Sequence, residues 1–230
     1  MKAMIFSDLV TSKNSFLTLF GITIFVGLFI AISTNTLITA VACVAAMIPF
    51  MYLFSIAAYD EQNGWERFRL TLPISRKQVA YGRYASTFII MVCSLVTAVA
   101  IGLLIGAIAG ALPHGTVPEG LTLTKFSVPA IFGVAVTTQL IILIATTFTL
   151  PLIMRYGMTK GSRLVPIVLV IALSVGVAFF GNNLDIAMTN TLFNNATSIT
   201  LLLAVLTVVA IVLYVASAIL SARLYENREL

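Results

Sequence analysis

Apolar residues in this chain come in long runs broken by short polar links, a rhythm that predicts membrane-spanning helices. The runs cover 16–32, 37–58, 85–110, 127–154, 164–180 and 199–222, six in all. Each is close to the roughly 20 residues that one crossing of a bilayer requires. Ahead of the first run, over 1–15, Met4, Ile5, Phe6, Leu9 and Val10 alternate with Lys2, Asp8 and Lys13. That spacing predicts a short amphipathic helix lying in the headgroup region. Ala31 and Ser33 also suit a signal-peptide cleavage site, but the run before them is long for one, so an uncleaved first span is preferred.

The links carry the polar residues. Ser33, Thr34, Asn35 and Thr36 make a hinge so short that the first two helices must be antiparallel neighbours. The main hydrophilic stretch is 59–84, YDEQNGWERFRLTLPISRKQVAYGRY. Trp65 to Leu70 mixes aromatic, apolar and charged residues at helical spacing, Pro73 closes that segment, and Ser75 offers an N-cap for a second short helix over 76–84 that runs into the third span. Further links are a loop with Pro113, His114, Pro118, Glu119 and Lys125, the charged MRYGMTKGSR at 154–163, the polar stretch 181–198, and the tail RLYENREL.

Composition adds a limit. Of 230 residues, 60% are hydrophobic and 9% charged, with a mean hydropathy of +1.09. The fold class is an all-α integral membrane protein: a single transmembrane domain over 1–230, six transmembrane helices, an N-terminal interfacial helix and a helical cytoplasmic link over 59–84, which the resemblance given below implies is a coupling helix. No second soluble domain fits, so the energy for any transport comes from another chain or from a gradient. Twelve of the 13 Lys and Arg residues fall on one side of this arrangement and Lys125 alone on the other. The positive-inside rule then puts both termini and both charged links in the cytoplasm of a cell-membrane protein, and accounts for the basic excess without nucleic acid.

Candidate chemistry is sparse. No ionisable residue is placed near the middle of any predicted span, which counts against a proton- or sodium-coupled carrier. The single histidine, His114, sits in a loop, and neither an HExxH nor a GxxxxGK[ST] motif is present, so no catalytic residue, metal site or cofactor is assigned to this chain. Cys43 and Cys93 lie in apolar runs and read as packing residues. Polar side chains within the spans are uncharged: Ser94 and Thr97 in the third, and Thr137, Thr138, Gln139, Thr146, Thr147 and Thr149 in the fourth. Interhelical hydrogen bonding and the lining of a translocation path account for them equally well. Gln139, Thr138 and Thr146 are the path candidates, Gln139 first among them. Ala98, Gly102, Gly106 and Gly110 recur every four residues and predict a small-residue packing stripe.

The order of residues in the second link carries a resemblance. Asp60, Glu61, Gly64, Trp65, Glu66, Arg67, Phe68, Leu72, Pro73, Ile74, Ser75 and Arg76 resemble the first cytoplasmic link of small six-span ABC-2 type permeases, which reads like DE..GWERF..LPISR. The opening MKAMIFSDLVTSKNS is similar to that family's amphipathic N-terminal segment, and the resemblance by pattern covers 1–110. Beyond Gly110 it rests on span count and topology.

The resemblance implies a dimer of permeases, the second copy identical or similar, served by two separate ABC ATPase subunits that hold ATP and Mg. It implies that 61–70 is the coupling element, with Asp60, Glu61, Gly64, Trp65, Glu66, Arg67, Phe68 and Arg69 as ATPase-coupling residues, and that 1–15 is a connecting helix. Alternating access would follow from closure of the ATPases. An amphipathic or hydrophobic peptide, such as a toxin or antimicrobial peptide, is the expected cargo, since the interior is apolar with scattered hydroxyls and one amide. The competing functions are export of a lipid, drug or ion, a gradient-driven carrier or channel, and a membrane scaffold without transport.

Overall fold

The computed structural model describes residues 2–62, 75–113, 118–123, 127–183 and 196–226. These form five helical elements, α1 (Lys2–Thr34), α2 (Leu37–Gln62), α3 (Arg76–Ala111), α4 (Ser127–Asn183, two helices that meet at Gly157) and α5 (Ala196–Glu226), with a 3-10 turn at Glu119–Leu121. Among the described residues there is no strand. Four segments are long and apolar enough to cross a membrane, Leu37–Glu61, Arg76–Ala111, Val128–Gly157 and Thr200–Glu226, and Thr18–Thr34 is a shorter apolar helix.

Several predicted boundaries shift. The interfacial helix at 1–15 and the span at 16–32 are one helix, α1, whose 33 residues make about 50 Å at 1.5 Å per residue. The helix over 76–84 does run into the third span, giving the 36 residues of α3. Ser75 caps it, its hydroxyl accepting from the Gln78 amide at 3.3 Å. With α2 helical to Gln62 and α3 starting at Arg76, the link between them is 63–74, and the coupling-link segments 59–62 and 75–84 are largely helical extensions of the spans.

The fourth and fifth predicted runs both fall within α4, which is broken at Gly157, where φ is 78° and ψ 175°. A side chain seldom tolerates that backbone, and glycine does. The break reverses the chain: a Cβ at Gly161 would stand 3.2 Å from the Ile153 Cα, whereas eight residues of straight helix would separate the two by about 12 Å. The other tight reversal is at Asn35, whose φ of 53° ends α1 in the left-handed conformation that asparagine accepts. Thr34, Thr36 and Thr39 join hydroxyls around it at 2.6 to 3.1 Å. The predicted antiparallel pairing of the first two helices follows from that turn, and α1 and α2 pack side by side.

α2 lies at the centre, packed on α1, α3 and α4, with α5 against α3 and α4. Half of its apolar window is buried, against 22% for that of α5. Glycine permits the closest approaches around α2 and α3. A Cβ on Gly27 would come within 2.7 Å of Val44, and one on Gly82 within 2.7 Å of Met4. Of the predicted packing stripe, Ala98, Gly102 and Gly106 are buried. Gly102 faces Val41 and Ile131, Gly106 faces Leu123, and Gly110 has nothing within 4 Å of a Cβ position.

Candidate functional site: the charged end and the polar clamps

One end of the bundle gathers charged groups from α1, α2, α3 and α5. Arg83 of α3 pairs with Asp8 of α1, Nε to Oδ2 at 3.3 Å, and its Nη2 donates to Asp60 Oδ2 of α2. All three are buried, with exposures of 4% for Arg83, 1% for Asp8 and 8% for Asp60. Ser86 adds a hydroxyl donated to Asp8 Oδ2 at 3.3 Å. An isolated buried charge would be costly, and mutual pairing is what makes burial tolerable here. Asp60 is one residue from the end of its apolar window, so this cluster ties three helices together beside the root of the 63–74 link.

The sequence reading puts Arg83 among the basic residues of the 59–84 link and Asp8 at a polar position on a headgroup helix; both are buried in the bundle instead. The signal was periodicity: Met4 and Asp8 are four apart, and Val79, Arg83, Ser86, Ile90, Ser94 and Ala98 form one buried helical stripe.

Two more contacts close that end. Glu61, exposed at the end of α2, accepts from the Thr159 amide at 2.7 Å through Oε2 and from the Thr159 hydroxyl through Oε1. A carboxylate so placed satisfies a free amide just after the Gly157 break and sits well in the field of the helix that starts there. Arg76 donates to the Glu226 carbonyl at 2.8 Å, and Lys77 pairs with the Glu226 carboxylate at 3.4 Å. The start of α1, both ends of the 63–74 link, the turn after Gly157 and the end of α5 therefore share one end of the molecule. Of the predicted coupling residues, Asp60 belongs to the buried cluster and Glu61 to the Thr159 contact. Gly64, Trp65, Glu66, Arg67, Phe68 and Arg69 lie outside the described residues.

Within the spans, two prolines account for the bonds of Gln139, Ser94 and Ser217. Pro49 has no amide hydrogen, which leaves the Ala45 carbonyl without its helical donor. Gln139 Nε2 donates to that carbonyl at 2.9 Å and Ser94 Oγ at 3.3 Å, and Gln139 Nε2 also donates to Ser94 Oγ. Pro151 does the same to the Thr147 carbonyl, which takes a 2.7 Å bond from Ser217 Oγ of α5. In a bilayer no water replaces a missing donor, so a neighbouring helix must supply it.

Ser217 also meets the Tyr84 hydroxyl at 2.8 Å, Ser221 meets it at 2.7 Å, and the Tyr214 hydroxyl donates to the Tyr84 carbonyl at 2.9 Å. Gln139 is thus a clamp between α2, α3 and α4. Its other amide atom, Oε1, is buried without a hydrogen-bond partner among the described residues. Gln139 also lines a cavity of about 160 Å³ with Met91, Leu143 and Thr207. Thr146 is buried and donates back to Leu143 at 2.8 Å, and Thr138 is half-buried. A proline four residues after a carbonyl was the available sign that such donors were needed.

Helices of this length and hydropathy, tied at one end by buried ion pairs and in the middle by amide and hydroxyl clamps, define a multi-pass α-helical membrane protein. Over residues 3–226 the chain matches the model of the ABC-2 family transporter protein family. It belongs to that family, whose members are the membrane permeases of ABC transporters, lack an ATPase of their own and usually work with ABC ATPase partners. No curated protein and no solved structure matches the chain.

Proposed function

We propose that this chain is the permease subunit of an ATP-driven exporter that moves an amphipathic or hydrophobic peptide out of the cell by alternating access. Two copies, or this chain with a similar one, would be served by two ABC ATPases at the end where 63–74 and both termini gather. That end faces the cytoplasm in this reading, since it also carries the basic links. The observation that carries the proposal is the family match over 3–226, and the shared charged end supports the choice of docking face.

The coupling role falls to Asp60, Glu61, Gly64, Trp65, Glu66, Arg67, Phe68 and Arg69. The geometry supports a path for the force: Asp60 holds Arg83 on α3, which holds Asp8 on α1, and Glu61 holds Thr159 at the turn of α4. A push on the link is delivered to α1, α3 and α4 together. The cargo path runs past Gln139, Thr138 and Thr146; the cavity that Gln139 lines supports the first of these.

The test is co-expression with a candidate ABC ATPase from the same organism, purification, and ATP-dependent export assayed in proteoliposomes. Replacing Trp65 and Glu66 by alanine is expected to leave insertion intact and to weaken ATPase recruitment or uncouple hydrolysis from export. Transport that persists without ATP or ATPase overturns the exporter reading, and unchanged recruitment and export in the double variant overturn the coupling assignment.

A further inference from the structure

A groove of about 480 Å³ lies between α4 and α5. It begins where Ser217 ties α5 to the Thr147 carbonyl and ends at Arg155, eight residues and about 12 Å along the helix. Its walls are apolar, formed by Pro151, Leu152, Ala216 and Leu220 among others, and its mouth carries Arg155 and Tyr156. Leu220 and Tyr156 are 53% and 42% exposed, so the groove opens on the outer surface of the bundle. Arg155 is two residues from the end of the apolar Val128–Gly157 segment, and the end of a segment that crosses a bilayer falls at the depth of the headgroups. Its guanidinium carbon stands 5.3 Å from the centre of the Tyr156 ring, and among the described residues no carboxylate pairs with it.

We propose that this groove binds an anionic phospholipid, with the phosphate on Arg155 and one acyl chain laid along the apolar wall. The occupant follows from complementarity. A guanidinium with which no carboxylate among the described residues pairs matches a phosphate in charge and geometry, a basic pocket between membrane helices on the basic side meets anionic headgroups at that depth, and the apolar trough continues from the charge toward the membrane interior, as an acyl chain does. A lipid held there bridges the α4 hairpin to α5. The inference is independent of the cargo and of the ATPase.

The experiment compares retention of phosphatidylglycerol by the purified chain after delipidation from vesicles of phosphatidylcholine and phosphatidylglycerol, read by native mass spectrometry. Arg155→Gln is expected to lower retention roughly tenfold, the loss of one charge-assisted contact. Ala216→Phe, which fills the trough, is expected to lower it as well, while Arg163→Gln, in the same link but outside the groove, is expected to retain lipid like the parent chain. Thermal melts in lipid-free micelles establish that each variant is folded. Equal retention by the parent and Arg155→Gln overturns the proposal. So does displacement of the lipid by inorganic phosphate alone, which marks an anion site without a chain subsite, and so does loss of dimer with lipid retention unchanged in Ala216→Phe, which marks the groove as a contact between two copies.

Discussion

The charged end and the middle of the bundle satisfy buried polar groups by different means. At the end, Asp8, Arg83 and Asp60 are charged groups from three helices, one guanidinium held between two carboxylates. In the middle, Gln139, Ser94 and Ser217 are neutral donors, each aimed at a carbonyl that a proline released. A charge that loses its partner is left stranded in a poor dielectric, whereas a lone carbonyl loses one bond. The contacts at the end are therefore the costlier to break, and those in the middle the cheaper. That contrast can be broken at four points.

Arg83→Leu removes the guanidinium between two buried carboxylates and is expected to have the largest effect, about 3 to 5 kcal/mol of stability, read as a lowered melting midpoint in micelles. Neutralising the whole cluster with Asp8→Asn, Asp60→Asn and Arg83→Met is expected to recover much of that loss. A single variant that melts like the parent chain would remove the charged half of the contrast.

Gly102→Val comes next. A Cβ there already lies 2.5 Å from Val41 Cγ2 and 3.3 Å from Ile131 Cγ2, so overpacking is expected to destabilise by about 1 to 3 kcal/mol. Because it separates α2 from α3, it is also expected to weaken the reach of Ser94 to Ala45. Gly110→Ala, with open space around it, serves as the control and is expected to be neutral.

Gln139→Leu is expected to lower stability by about 0.5 to 2 kcal/mol. The sharper measurement is a double-mutant cycle with Pro49→Ala: the restored amide hydrogen serves the Ala45 carbonyl, so Gln139→Leu then has a smaller effect. Additive effects would show that Gln139 is retained for something other than the clamp. The smallest change is expected from Lys77→Ala, since its pairing with Glu226 is exposed on both sides. A loss under about 1 kcal/mol that vanishes in high salt is expected.

Hydropathy is a local property, so the long helices, the antiparallel first pair and the Ser75 cap were legible along the chain, and so was the family, through the order of residues at 60–76. Boundaries were less legible at 1–34 and 59–84, because polar residues there read as solvated. Asp8, Asp60 and Arg83 instead stabilise one another, and a helix continues through them. The stripe at Ala98, Gly102 and Gly106 was visible as spacing, but only the packed helices identify Val41, Ile131 and Leu123 as the residues it admits.

The sequence by itself determined which segments are helical and apolar, because each residue's preference for lipid is additive along a span. The tertiary structure decided what the few polar residues do. Gln139 meets Ala45 across 94 positions, Ser217 meets Thr147 across 70, and Arg83 meets Asp60 across 23. Such partnerships depend on the rotation and register of helices against one another, which are properties of the assembled bundle and of no single stretch of chain.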